Sequence, residues 1–283
     1  MKLGLVIEGG GMKCAYTAGI LDRMLEDEIQ PEVVTGVSAG AACGASFVAG
    51  QYDRNRRFFV EYVSDPEYMG WESYRHTGNF FNLDYIYMDI TAQGGRDPID
   101  YEALMKNETK LLVGATDALS AEEAYFGKED VTPEDYTIFK ATCAIPVACR
   151  PVKKNSRLYY DGGVADPIPV KRTLMEGCDK VIILLCRPKS IIRGPQNHRR
   201  IYRAALRNYP RMIHAIDVRH LRYNATLHAA LELEKKGHAL ILAPHEQIDI
   251  STYTKDRDVL QGVYDRAVEE YNEDREKLMA FLK

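Results

Sequence analysis

The 283-residue chain has a net charge of −4, with 46% hydrophobic and 28% charged residues. These proportions exclude a disordered chain, a collagen-like repeat and a miniature held by disulfides, and they allow one large core. The longest apolar runs, such as residues 181–186, are strand length, too short for a membrane-spanning helix of about 20 residues.

The first residues, Met1 to Glu8, run straight into an acid with no signal-peptide core or cleavage site, so a mature cytoplasmic start is expected. Residues 3–7 form an apolar, partly β-branched run, and 15–28 supply helix formers with Ile20, Leu21, Met24 and Leu25 toward one face. Between them lies Glu8-Gly9-Gly10-Gly11-Met12-Lys13, a glycine turn leaving a strand and entering a helix. Backbone N–H groups in such a turn, backed by the helix N-terminus, bind an anion. A dinucleotide pyrophosphate fits poorly, because Cys14 stands where the third glycine of G-x-G-x-x-G belongs and no acid ends the next strand. The oxyanion of a tetrahedral acyl intermediate is the other ligand of this kind.

Residues 33–37 give a second strand, and the small residues of 38–50 suit a closely packed helix. The junction reads Gly36-Val37-Ser38-Ala39-Gly40, a G-x-S-x-G pattern whose glycines permit the sharp turn that lifts a serine hydroxyl onto the sheet edge. A right-handed crossover brings the carboxyl ends of both strands to one edge, so this turn and the glycine turn should face each other. Residues 52–135, rich in aromatics, read as an inserted cap, although they include two strand patterns at 111–119 and 124–129. A short helix is predicted at 134–142 and a strand at 157–160, ending in Asp161-Gly162-Gly163. That tripeptide serves as a turn in its own right. Beside an activated serine, its aspartate is a candidate base. Strands at 180–186 and 239–242 and helices at 198–209, 211–236 and 256–282 complete an α/β fold, a three-layer sandwich around a mostly parallel sheet in a single domain over 1–283, with residues 198–283 as a helical extension.

The six cysteines lack C-x-x-C spacing and neighbouring histidines, so reduced core thiols, no metal and no cofactor are expected. His238 and His245 are the histidines best placed for a Ser-Asp-His triad, but Gly11 precedes Ser38 by too little sheet for an α/β-hydrolase, which favours a Ser-Asp dyad. Residues 187–223 hold ten Arg and Lys against Asp217 alone. Such a segment either meets an anionic membrane surface, through Arg199, Arg200, Arg203 and Arg207, or packs against acidic neighbours. Nucleic acid is not an expected partner, and oligomeric state is not legible.

The three motifs, in this order and spacing, resemble the patatin-like phospholipase family over about residues 3–172, as do Ala141-Thr142-Cys143-Ala144-Ile145-Pro146 and Asp166-Pro167-Ile168-Pro169-Val170. The resemblance implies a patatin-like fold and a metal-free serine acyl hydrolase acting on a lipid or other acyl ester. It implies Ser38 as nucleophile, Asp161 as base and an oxyanion loop from Gly9, Gly10 and Gly11 through Met12 to the cation Lys13, with Gly36, Gly40, Gly162 and Gly163 as motif positions. A non-catalytic phosphate- or nucleotide-binding module using Gly9 to Lys13 is the alternative.

Overall fold

Eight strands join one sheet in the computed structural model, which describes residues 1–283. They are β1 (Leu3–Ile7), β2 (Val33–Val37), β3 (Lys110–Asp117), β4 (Glu123–Phe126), β5 (Val152–Lys154), β6 (Arg157–Asp161), β7 (Lys180–Leu184) and β8 (Ala239–Leu242). The order is β5-β6-β3-β2-β1-β7-β8, with β4 also paired to β3. β3, β2, β1, β7 and β8 run parallel, while β4 and β6 are antiparallel to β3.

Strand side chains alternate between two faces, and both faces are covered. Leu5, Ile7, Val113, Ile182 and Leu184 pack with α1 (Cys14–Glu26), α2 (Ala39–Val48) and the C-terminal helix Arg257–Leu282. Val6, Val33, Leu112, Val181 and Ile183 pack instead with Val170, Tyr223, Leu227 and Ala230, from the helices Val170–Met175 and Pro210–Lys235. Three layers result. The last strand and the C-terminal helix share this sheet and core with the N-terminal half.

The cap is shorter than the 52–135 expected from composition. β3 lies inside that range, yet it pairs with β2 at the centre of the sheet and is buried from Leu111 to Asp117. The inserted part therefore ends before residue 110. It includes two π-helical turns, Arg57–Glu61 and Tyr85–Ile90, which supply Phe58, Phe59, Ile86 and Tyr87 to one apolar wall. β5 and the helix Val170–Met175 were not anticipated, being only 3 and 6 residues long.

One feature of the topology positions the site. β4 pairs with residues 113–116 of β3, so β2 (against 110–114) and β6 (against 115–117) must both occupy the opposite edge. They run in opposite directions and meet end to end. Val37 registers with Gly114 and Asp161 with Ala115, the next residue of β3.

The C-terminal helix is seated on α1 at Gly19, where an added Cβ would lie 2.7 Å from the Tyr264 carbonyl and 2.8 Å from Ala267 Cβ. Gly19→Val should therefore cost about 1–3 kcal/mol through overpacking. Gly262, in the interior of the same helix, has nothing within 4 Å of such a Cβ. Gly262→Ala should stabilise the fold by roughly 0.5–1 kcal/mol. Urea unfolding of both variants checks the opposite signs.

Candidate active site

Ser38 sits between β2 and α2 with φ 54° and ψ −141°, a conformation that costs a non-glycine residue of order 1–3 kcal/mol. The surroundings hold it there. Its N–H donates to Thr142 Oγ1 at 2.7 Å, and the Thr142 hydroxyl in turn donates to the Gly114 carbonyl of β3. Gly36 and Gly40 are required by contact, since a Cβ on Gly36 would lie 2.7 Å from Ala41 Cα and one on Gly40 would strike the Glu8 carbonyl. The elbow is thereby pressed against both β1 and α2.

Because β6 ends where β2 ends, Asp161 faces Ser38. Ser38 Oγ donates to Asp161 Oδ2 at 2.6 Å, and Gly163 N–H donates to Asp161 Oδ1 at 2.8 Å. Both residues are 6% exposed. Burial raises the Asp161 pKa above the ordinary carboxylate value, opposed by the Ser38 hydrogen bond, the Arg219 charge and the Gly163 N–H. A Cβ on Gly162 would strike the Gly114 carbonyl, and one on Gly163 would lie 3.0 Å from Arg219 Nη2. The Asp-Gly-Gly run is a close-approach motif as well as a turn.

The glycine loop faces the same point: a Cβ on Gly9 would lie 2.8 Å from Ser38 Cβ. Gly11 has φ +56°, which suits glycine, and the N–H groups of Gly9, Gly10 and Gly11 donate to no protein acceptor. Ala39, the residue after the serine, also has a free N–H. It was not singled out from the sequence, although the G-x-S-x-G pattern itself marks that position. Met12 and Lys13 point elsewhere. Met12 is buried against the apolar side with its N–H directed to Thr252 O at 3.4 Å, and Lys13 Nζ reaches the carbonyls of Ile248 and Ile250. Burial and Arg187 lower the Lys13 pKa.

Two surfaces of opposite character meet at Ser38. On one side, Met12, Phe59, Tyr68, Ile86, Tyr87 and Cys143 wall a narrow apolar cavity that continues beneath the cap to Phe58, Ile99 and Phe139. On the other, a cleft of about 220 Å³ is lined by Gly9, Gly10, Gly11, Ser38 and Asp161 together with Arg187, Arg193 and Arg219. These arginines belong to the basic segment noted in the sequence, which the fold divides. Arg199 and Arg203 pair with Asp217 at 3.2 and 2.7 Å, Lys189 pairs with Glu234, and Arg200 and Arg207 remain exposed.

No histidine lines either surface. His245 pairs with Glu273 and Asp274, and His238 precedes β8 at the far edge of the sheet. No group of three or more His, Cys, Asp and Glu side chains is disposed to hold a metal ion, and no helix is long and apolar enough to cross a membrane.

The glycine loop, the serine elbow and the Asp161-Gly162-Gly163 turn all lie within the part of the chain that matches a family model. The model for patatin-like phospholipase matches residues 5–174. The chain belongs to the patatin-like phospholipase family. Beyond that patatin-like region, a model described as Domain of unknown function (DUF6363) matches residues 209–283, which hold the helix Pro210–Lys235, β8 and the C-terminal helix. The uncharacterized protein YjjU of Escherichia coli K12 is 26% identical over 212 residues, 71% of this chain and 57% of YjjU. The crystal structure of VipD from Legionella pneumophila aligns with 96% of this chain and 66% of its own, at 14% identity and a TM-score of 0.46. The chain thus spans a little over half of YjjU and just under two thirds of VipD.

Thr142→Val would leave two buried backbone groups, Ser38 N–H and Gly114 C=O, without their shared partner. A loss of about 1–3 kcal/mol is expected on thermal or urea unfolding, larger than for Thr142→Ser, which keeps the hydroxyl.

Proposed function

We propose that this patatin-like protein is a serine acyl hydrolase that cleaves a carboxylic ester of a lipid, with Ser38 as nucleophile and Asp161 as its base. The 2.6 Å hydrogen bond from Ser38 Oγ to the buried Asp161 carboxylate carries the reading. A serine hydroxyl attacks poorly until a positioned group takes its proton, and a carboxylate whose pKa is raised by burial is a better acceptor than one in water. Asp161 Oδ2 takes the proton as Oγ bonds to the ester carbonyl carbon. The carbonyl oxygen becomes an oxyanion within reach of unengaged N–H groups in the glycine loop and at Ala39. Collapse of this intermediate breaks the C–O bond, and the departing alkoxide takes the proton from Asp161. Water, deprotonated by the same carboxylate, then attacks the acyl-serine, and the proton returns to Ser38 as the fatty acid leaves.

The two-sided surroundings fit this division of the substrate. The acyl chain enters the apolar cavity beneath the cap, where burial is worth about 0.8 kcal/mol per CH₂. The alcohol portion leaves through the polar cleft. Each oxyanion donor in such a site is worth about 10²–10³ in turnover. Contact of the exposed Arg200 and Arg207 with an anionic lipid surface belongs to the same reading, as the way a lipid substrate is met.

Ser38→Ala and Asp161→Asn should each remove nearly all release of fatty acid from p-nitrophenyl and glycerol esters, and the double variant should be no worse than either. A double variant far below both single variants would mean that the two residues act separately. The activity should also rise with pH as Asp161 ionises, with its acid limb above the ordinary carboxylate range. Because the folded-state pKa of Asp161 is raised, the unfolded chain ionises first, and its ionisation lowers stability as pH climbs through the folded pKa. Asp161→Asn should therefore be inactive and yet at least as stable as wild type at neutral pH, which thermal unfolding across the pH range will test.

A further inference from the structure

Three cations line the polar cleft, and the two acids nearest them leave one positive charge unmatched. Arg187 donates one bond to Glu8 Oε1 at 2.8 Å, and the other oxygen of Glu8 is taken by Cys186 N–H at 2.7 Å. Arg219 donates through Nε to the Gly163 carbonyl, leaving its two terminal nitrogens without a protein acceptor. Arg193 donates no side-chain hydrogen bond at all; its guanidinium lies over the Tyr223 ring, 5.0 Å from the centroid. The acids nearest these groups are Glu8 and Asp161, and both are engaged, Glu8 as just described and Asp161 by Ser38 and Gly163. Burial, together with repulsion from Arg219 and Arg187, lowers the Arg193 pKa to about 10. Like charges held together in a part-buried cleft are unfavourable unless an anion occupies it. A guanidinium fork is also the side chain best shaped to take phosphate oxygens in pairs.

We propose that Arg187, Arg193 and Arg219 form a subsite for the phosphate of the substrate's alcohol portion, so that the enzyme selects acyl esters of negatively charged phosphates over neutral esters of the same chain. The inference rests on the hydrolase reading for its position in catalysis. The subsite itself rests on the arginines and on the positive charge among them that the two nearby acids leave over. Its geometry is supported from both sides of the chain: Glu8, at the end of β1, fixes Arg187, and Gly163, after β6, leaves room for Arg219 beside the catalytic pair. Phosphate in the cleft would place its ester chain toward Ser38 and the acyl group toward the cap. The charge could come from a lipid head group or from free phosphate, and the two are separated by experiment.

The first arm measures kcat/KM for a 1-acylglycerol 3-phosphate and for the monoacylglycerol with the same chain. Wild type should favour the phosphate by roughly 10-fold or more, and Arg193→Gln should reduce that ratio about 10–100-fold, as expected for losing hydrogen bonds to a charged group. Lys236→Gln, an exposed residue just past the helix Pro210–Lys235 and outside the cleft, should keep the wild-type ratio. Equal kcat/KM for the two esters in wild type, or an unchanged ratio in Arg193→Gln, overturns the subsite and leaves the hydrolase intact. The second arm needs no turnover: calorimetry on Ser38→Ala with the same two lipids and with inorganic phosphate as competitor. Competition by inorganic phosphate supports a subsite that reads the charge alone. Binding of the acylglycerol phosphate without such competition supports one that reads the charge on its chain. No preference for the phosphate-bearing lipid overturns the proposal. Binding with this preference in a protein that cleaves neither ester upholds the subsite and removes the hydrolase reading instead.

Discussion

Everything in the site depends on two strands sharing one edge of β3. β2 occupies its first half and β6 its second, in opposite directions, so their carboxyl ends abut at Gly114 and Ala115. That junction brings a serine and an aspartate 123 residues apart into a 2.6 Å hydrogen bond. It also explains the surrounding composition. Gly114 and Gly162 are small because two chain ends and a third strand converge there, and Thr142 uses its hydroxyl to connect the Ser38 N–H to the carbonyl of Gly114.

Around this junction the fold separates two solvents. The cap contributes aromatic and aliphatic side chains to a cavity with little polar surface, whereas the loop after β7 and the helix Pro210–Lys235 contribute arginines to the cleft on the other side. Ser38 touches both. In so polarised an environment, apolar burial is offered on one side of the serine and charge pairing on the other. The cap's π-helical turns assist by projecting neighbouring apolar side chains, Phe58 with Phe59 and Ile86 with Tyr87, into one lumen.

The three motifs of the site were legible in the sequence because each encodes a local backbone demand. Gly-x-Ser-x-Gly describes an elbow, Gly9 to Gly11 a loop with free N–H groups, and Asp161-Gly162-Gly163 a strand end that must approach another chain. The cap boundary was not legible. Residues 110–117 look like a strand from their own pattern, but membership of the central sheet is decided by β2, more than 70 residues earlier, and by β6, more than 40 later. The arginines were visible only as a count. Nothing local distinguishes Arg193, which lines the cleft, from Arg203, which pairs with Asp217. The difference arises from how the loop between β7 and the helix Arg199–Ala205 folds back over the sheet edge.

The end-to-end meeting of β2 and β6 also sets an order of events during synthesis. A ribosome that has released Ser38 and its elbow has made only half of the hydrogen-bonded pair, and the other half is not translated until β6. The arginines of the cleft follow later still, at positions 187, 193 and 219. A chain that ends before β6 thus carries the serine without its aspartate, and β8, the last strand of the sheet, follows even the last of these arginines. The Ser38–Asp161 hydrogen bond is thus a contact of the assembled sheet, since its two ends come from strands that meet only along β3.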